Sequence, residues 1–467
     1  MGGFFGCTSK EACITELFYG SDYLSHLGTK RGGIATLDSD GFHRTIHSLE
    51  NAYFRSKFEP DIDELTGNMG IGVVSDTDPQ PIIIHSRLGT FALVTVGKVA
   101  NLDELVAQAY DKDLHFSETC QGGINPTELV ACIVSQGASF KDGLEKAQEM
   151  VKGSCSMLLL CKDGLYAARD RLGRTPIIIG KRDNAYAASS ESSAFPNLGF
   201  EVCHYPGPGE IVKLTPEGME TVKAPGDKMQ ACSFLWVYYG YPASSYEGIN
   251  TEQVRYNCGA ALARNETEKV DLVGGIPDSG IGHAIGFANE SHIPYSRPYV
   301  KYTPTWPRSF MPQNQAMRDL VARMKLIPVR ELIQDKRILF CDDSVVRGTQ
   351  LQDNTEILYE YGAKEVHMRI ACPCLIHPCE FLNFSTSRST LDLAGRKAIL
   401  ELEGTEDVDL TEYAIDGSAK HKAMIDILTK RLNVTTLRYQ KLDDLVKAIG
   451  LPKEKLCTHC WDGSSYF

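Results

Sequence analysis

The chain has 467 residues, of which 43% are hydrophobic and 23% charged, and its formal net charge is -12. That length predicts two or three domains of ordinary globular composition. Uniform acidity disfavours nucleic acid and anionic membrane surfaces as partners, but not a phosphorylated metabolite, whose binding a local loop of amides and a metal decide. No run of about 18 or more apolar residues is present, so no transmembrane helix is expected. The start, Met1-Gly2-Gly3-Phe4-Phe5-Gly6, has no basic region and no long apolar run, which argues against a signal peptide. The sixth position lacks Ser or Thr, which weakens a myristoylation reading. A cytoplasmic protein is expected.

Residues 1–225 read as many short strands broken by turns, at 33–37, 81–85, 91–96 and 156–161, with helical patches at 126–136 and 143–151. Strands and helices in separate layers predict an α+β sandwich. Pro206-Gly207-Pro208-Gly209 and Ala224-Pro225-Gly226-Asp227 are breakers, and the boundary is placed near the second. From about 250 the rhythm changes. Helices are expected at 252–263, 281–289 and 349–361, and buried strands at 270–276 and 336–341, which predicts a parallel α/β sheet. The domains expected are 1–225, 226–445, and a tail at 446–467.

The apolar strand Ile338-Leu339-Phe340-Cys341 runs into Asp342-Asp343, then Ser344-Val345-Val346-Arg347-Gly348, and a helix opens at Thr349. Carboxylates at a strand's carboxyl end can hold ribose hydroxyls and, directly or through water, Mg2+. The loop and helix N-terminus then offer backbone N–H groups and a positive dipole end to a 5′-phosphate. Gly348 lets the backbone approach the anion, and Ser344 and Thr349 add hydroxyls. The plainer reading is a strand–turn–helix with an acidic cap. The whole run favours a binding motif for phosphoribosyl diphosphate (PRPP). A second acidic turn, Pro277-Asp278-Ser279-Gly280, follows Val273-Gly274-Gly275-Ile276 at the same end of the expected sheet.

Most of the 15 cysteines, such as Cys155, Cys161 and Cys203, read as buried thiols in a reducing compartment. Cys457 and Cys460 do not, because they lie at ligand spacing in a polar segment.

These segments together resemble the glutamine phosphoribosylpyrophosphate amidotransferases, which open purine biosynthesis. The resemblance also covers Arg169-Asp170 with Gly173 and Pro176, Ser190-Glu191-Ser192-Ser193-Ala194-Phe195, Pro208-Gly209-Glu210-Ile211-Val212, residues 310–326, and Pro378-Cys379. It implies an N-terminal-nucleophile-hydrolase-like α+β sandwich followed by an α/β type I phosphoribosyltransferase domain. It further implies Ser279, Asp342 and Asp343 as Mg2+ and PRPP contacts, Ser344 to Thr349 as the 5′-phosphate loop, and a homotetramer. One branch of the family carries a [4Fe-4S] cluster, and its ligand pattern falls on Cys232, Cys379, Cys457 and Cys460. Four thiolates would suit such a cluster or, from spacing alone, Zn2+. Four plain thiols, or a set including Cys372 and Cys374, are the alternatives.

The chain departs from the family at three places in the first domain. Gly2 stands where the family has its nucleophilic cysteine. The Arg-Tyr-Ser/Thr-Thr segment that binds the glutamine carboxylate is read as deleted, since Gly70-Ile71-Gly72 leads into Val73-Val74-Ser75-Asp76 and soon to Pro79-Gln80-Pro81. The Asn-Gly oxyanion pair becomes Val96-Gly97. These changes predict a lost glutaminase activity. The family's loop over PRPP becomes Lys301-Tyr302-Thr303-Pro304-Thr305-Trp306-Pro307-Arg308, which keeps Lys301 and Arg308 as PRPP contacts but is stiffened by two prolines. The expected function is Mg2+-dependent amination of PRPP by ammonia, free or supplied by a partner. The alternative is an inactive PRPP- or nucleotide-binding regulator. An unrelated metal-binding structural protein would not need the acid pair and its loop.

Overall fold

The computed structural model describes residues 2–120, 122–302, 325–383 and 389–466. Among them, residues 2–223 build two large antiparallel sheets and a two-stranded pair, Thr119–Cys120 with Gly123–Ile124. In the first, Gly2–Ser9 lies between Met69–Ser75 and Ala185–Ser189, and the remaining strands extend to Phe42–Ser48 on one side and Glu201–His204 on the other. In the second, Gly153–Cys161 lies between Gly89–Val99 and Gly164–Ala168.

Strand alternation assigns each side chain to a layer. Phe4, Val73, Val94, Leu158 and Leu160 fill the core between the sheets. Phe5 and Val74 point to the outer face, where Leu17 and Phe18 of the helix Ile14–Asp22 cover them. The helices Pro126–Ser135 and Phe140–Met150 cover the other outer face through Leu129, Val130 and Leu144 against Leu93 and Leu159. Each starts where its sequence dictates. Asn125 accepts from the N–H groups of Thr127 (2.9 Å) and Glu128 (3.3 Å) ahead of Pro126, and Ser139 accepts from Asp142 N–H (3.2 Å).

The second region is a four-stranded parallel sheet in the order Leu272–Gly275, Arg337–Asp342, Glu365–Ile370, Thr436–Tyr439. Ile338, Leu339, Phe340 and Cys341 are all fully buried, as a strand covered on both faces must be. The helices Thr251–Arg264, Ile281–Ser291 and Thr349–Glu360 occupy the expected stretches. No helix among the described residues is long and apolar enough to cross a membrane.

Glu191 joins the two regions. Fully buried, it accepts hydrogen bonds from Tyr246 Oη (2.7 Å), Tyr241 N–H (3.1 Å) and Ser244 Oγ (3.3 Å), all in the segment that enters the second region. The fully buried Arg169 pairs with Glu247 across the same seam at 2.7 Å. A buried acceptor with several donors is costly to remove, so these contacts hold the regions in one arrangement.

Candidate functional site

The strand Arg337–Asp342 delivers its last residue to the carboxyl end of the parallel sheet. Ala371 N–H donates to Asp342 O at 2.9 Å and fixes that end against the next strand. Four sequence-predicted residues meet there. Ser279 Oγ donates to Asp342 Oδ1 at 2.7 Å, and Asp343 N–H donates to the same oxygen at 2.9 Å. Ser344 Oγ donates to Asp343 Oδ2 at 2.6 Å. Asp343 is buried and Asp342 half-buried. Burial pushes both carboxyls up, and for Asp342 the neighbouring Asp343 charge adds to it. A close, desolvated acid pair takes up a proton unless a cation or hydroxyl donors compensate the second charge.

Beyond the pair, Val345 is buried in the core and Val346 O accepts from Ala394 N–H at 2.7 Å. Arg347 reaches Asp392 at 3.5 Å. Gly348 has φ +81°, a left-handed conformation that a Cβ would strain. Thr349 then opens the helix Thr349–Glu360. Among the described residues no side chain caps its first N–H groups, which is the arrangement that suits an anion.

The loop 276–280 lies against the same strand end. Ile276 N–H donates to Cys341 O at 3.0 Å, and a Cβ on Gly280 would stand 2.1 Å from that oxygen, so only glycine lets the loop approach. The Pro277–Asp278 peptide is cis, and Asp278 forms an ion pair with Lys301 at the solvent-facing side. Arg308 lies outside the described residues, as does most of the altered loop.

Cys232, Cys379, Cys457 and Cys460 come from three segments and converge. Ala231–Cys232 pairs in parallel with Leu456–Cys457, which sets Cys232 beside Cys457. Ile376 and His377 N–H groups both donate to Cys460 O at 3.2 Å, which brings in the segment leading to Cys379. The Cys379 sulfur accepts from Leu382 N–H at 3.3 Å, and a hydrogen bond from Cys460 pulls its thiol down to about 7. Burial pushes Cys232 and Cys457 up, while the hydrogen bond to Cys379 is the main cause for Cys460. Cys372 and Cys374 are buried beside Trp461 and Tyr439 respectively.

Among the described residues, no three His, Cys, Asp or Glu side chains group around one point as ligands of a single ion. A zinc ion needs four sulfurs at about 2.3 Å from one centre. A cubane cluster takes one thiolate per iron and spreads its four sulfurs further apart.

In the first region, Gly2 lies in register with Ser75, and a Cβ on it would stand 2.6 Å from Val74 O. The residues after Ser75 form a closed polar network. Asp78 accepts from Thr127 Oγ1 (2.6 Å), Thr77 Oγ1 (2.5 Å) and Gln80 Nε2 (3.2 Å), and Gln80 Oε1 accepts from Thr95 N–H (2.7 Å). Asp78 and Gln80 are almost fully buried. Val96 packs into the core between the sheets, and Gly97 O accepts from Asn383 Nδ2 at 3.2 Å.

Sequence reading missed Arg255, which donates to Trp236 O (3.2 Å), Tyr238 O (2.9 Å) and Gly240 O (2.8 Å) while its charge acts on Asp343. It missed Arg174 beside the cysteines as well. Arg255 acts on Asp343 across 88 positions and Arg174 on Gln230 across 56, so no local pattern marks either role.

Residues 68–197 match a family model described as a glutamine amidotransferase domain. The chain is similar to the amidophosphoribosyltransferase of Bacillus subtilis, with 30% identity over 90% of this chain and 89% of that protein. It is 31% identical to the amidophosphoribosyltransferase of Synechococcus elongatus, over 85% and 82% of the two chains. The amidophosphoribosyltransferase of Methanocaldococcus jannaschii is 29% identical over 99% and 97%. Among solved structures, the glutamine PRPP amidotransferase from Bacillus subtilis complexed with ADP and GMP superimposes with a TM-score of 0.85, at 26% identity over 99% of this chain and 97% of that one. The expected architecture, an N-terminal-nucleophile-hydrolase-like α+β sandwich followed by an α/β type I phosphoribosyltransferase domain, is therefore present. With identity at this level across most of both chains, the protein belongs to the amidophosphoribosyltransferase family.

Proposed function

We propose that the chain is a Mg2+-dependent amidophosphoribosyltransferase of purine nucleotide biosynthesis that takes ammonia rather than glutamine as its nitrogen source. The observation that carries this reading is the convergence of Ser279, Asp342 and Asp343 ahead of the loop Ser344 to Gly348 and an uncapped helix. The acid pair would hold the ribose hydroxyls of PRPP, while the loop amides and Thr349 hold its 5′-phosphate. Lys301, paired with Asp278 of the loop 276–280, would contact the pyrophosphate. Ammonia attacks C1 of the ribose, the C1–O bond breaks, pyrophosphate leaves with the electron pair, and the new C1–N group loses a proton to solvent. Bound Mg2+ supplies charge neutralisation for the pyrophosphate and the acid pair, and two carboxylates beside a hydroxyl suit a hard, oxygen-seeking cation.

The loss of glutaminase activity is supported by Gly2, by the closed Asp78–Gln80–Thr127 network and by Val96 in the core. Cys232, Cys379, Cys457 and Cys460 are read as holding a [4Fe-4S] cluster, with Zn2+ as the alternative, because the family's ligand pattern falls on them and Cys232 pairs beside Cys457. Such a cluster would be structural, joining residues near the boundary at 225 to the segment 446–467. The solved relative was complexed with ADP and GMP, so purine nucleotides are candidate ligands here, and a homotetramer and an ammonia-supplying partner belong to the same reading.

The test is pyrophosphate release from PRPP, with ammonium and with or without Mg2+. Release that needs both supports the proposal. Tight PRPP binding without release would favour the second reading, a regulatory chain, which the prolines at 304 and 307 in the loop over PRPP motivate.

A further inference from the structure

Arg174 lies in the turn after Gly164–Ala168, in the two-sheet region, and is 1% exposed. Its carbonyl accepts from Cys232 N–H at 3.3 Å. Its Nη2 donates to Gln230 Oε1 at 2.7 Å, and the guanidinium carbon stands 3.7 Å from the ring centre of Phe381. Phe381 is two residues from Cys379, and Gln230 two residues from Cys232. The same Nη2 donates to Ser465 Oγ at 3.4 Å, five residues beyond Cys460. One buried cation therefore touches all three segments that carry the four cysteines.

Four thiolates around a [4Fe-4S]2+ core carry a net charge of about −2 in a water-poor site, and each added electron makes it more negative. A fixed buried cation within a few ångströms stabilises the reduced form more than the oxidised one, and an N–H donor to a ligating sulfur acts in the same direction. Stacking on Phe381 holds the guanidinium plane in place without using its donors.

We propose that Arg174 is the counter-charge and positioning residue of the four-cysteine site, set by the two-sheet region so that the potential of a thiolate-held iron–sulfur cluster depends on it. This rests on the reading that Cys232, Cys379, Cys457 and Cys460 hold such a cluster. It also gives the first region a role that needs no glutamine chemistry.

The experiment uses the full chain, purified and reconstituted without oxygen, as wild type, Arg174→Gln and Arg174→Lys. Iron and acid-labile sulfide are counted, and the cluster is titrated with dithionite and mediators while its electron paramagnetic resonance signal is followed. Wild type should hold about four irons per chain. At a fixed potential, Arg174→Gln should lower the reduced-to-oxidised ratio about tenfold, ~59 mV for one electron, and speed iron loss to a chelator. Arg174→Lys keeps the charge but not the planar fork, so its shift should be smaller and in the same direction. If Arg174→Gln does not accumulate as folded protein, the Lys variant carries the test. An unchanged ratio and chelation rate in the folded variants, with wild-type iron content, would overturn the role of Arg174 alone. A wild-type chain that takes up neither iron nor sulfide would overturn the cluster reading, and the proposal with it.

Discussion

Asp342→Asn is expected to lower kcat/KM for PRPP by about 10²–10³-fold while leaving the fold intact, a loss of ~3–4 kcal/mol of transition-state stabilisation. The amide oxygen can still accept from Ser279 Oγ and Asp343 N–H, and the new NH2 can donate to the Asp343 carboxylate, so the local hydrogen bonds persist. What disappears is one of the two charges that a divalent cation and the ribose hydroxyls need.

Stability should move the other way. Both acids are raised in the folded protein above the ordinary carboxylate value of 3.8, so the folded state holds a proton more tightly than the unfolded one. Their contribution to stability is then present at low pH and is lost as pH rises above about 4, because the unfolded chain ionises first. Asn imitates the protonated form at every pH. Thermal unfolding at pH 8 should therefore show Asp342→Asn at least as stable as wild type when metal is absent, with a flatter dependence on pH. A variant that loses stability together with activity would mean that Asp342 is a structural cap, and that the acid pair is not the PRPP site.

Gly2→Cys is expected to yield no glutamine hydrolysis and to cost about 1–3 kcal/mol of stability. The strand Gly2–Ser9 is central in its sheet, and any Cβ at its first residue stands 2.6 Å from Val74 O, so the strand pair must part to admit a side chain. On the proposed reading, a thiol gained that way would still lack the rest of a glutamine site. The chain after Ser75 is occupied by the Asp78 network, Val96 points into the core, and Gly97 O is bonded to Asn383. Urea unfolding and a glutamate-release assay on the same preparation check both halves. Glutamate released by Gly2→Cys at a rate well above wild type would show that only the nucleophile had been missing.

How much of this was legible in the sequence depends on the range of the interactions. The run from Ile338 to Thr349 could be read because a buried strand, an acid pair and a helix start are all local signals, and the structure has that strand and that helix. The loop 276–280 was legible for the same reason. Its place at the acid pair's end of the sheet followed from the strand rhythm, but the role of Ser279, whose contact with Asp342 spans 63 positions, came only through the family resemblance. The cysteines divide similarly. Cys457 and Cys460 announce themselves by spacing, whereas Cys232 joins them only through a two-residue parallel bridge that no pattern encodes.

At Gly2 the sequence shows that a side chain is missing. It does not show that Val74 O has closed over the vacant position, which is a property of strand register. Glu191 and Arg174 are polar residues in strand-rich sequence, and their weight comes from burial against segments fifty or more residues away.

The central claim, a working phosphoribosyl site served by ammonia, is tested most directly by following nitrogen. PRPP and Mg2+ are supplied with ammonium and glutamine together, with ¹⁵N placed first on ammonium and then on the glutamine amide. The account predicts that the phosphoribosylamine carries label only in the first experiment, and that pyrophosphate appears in equal amount. Label arriving from the glutamine amide would contradict it.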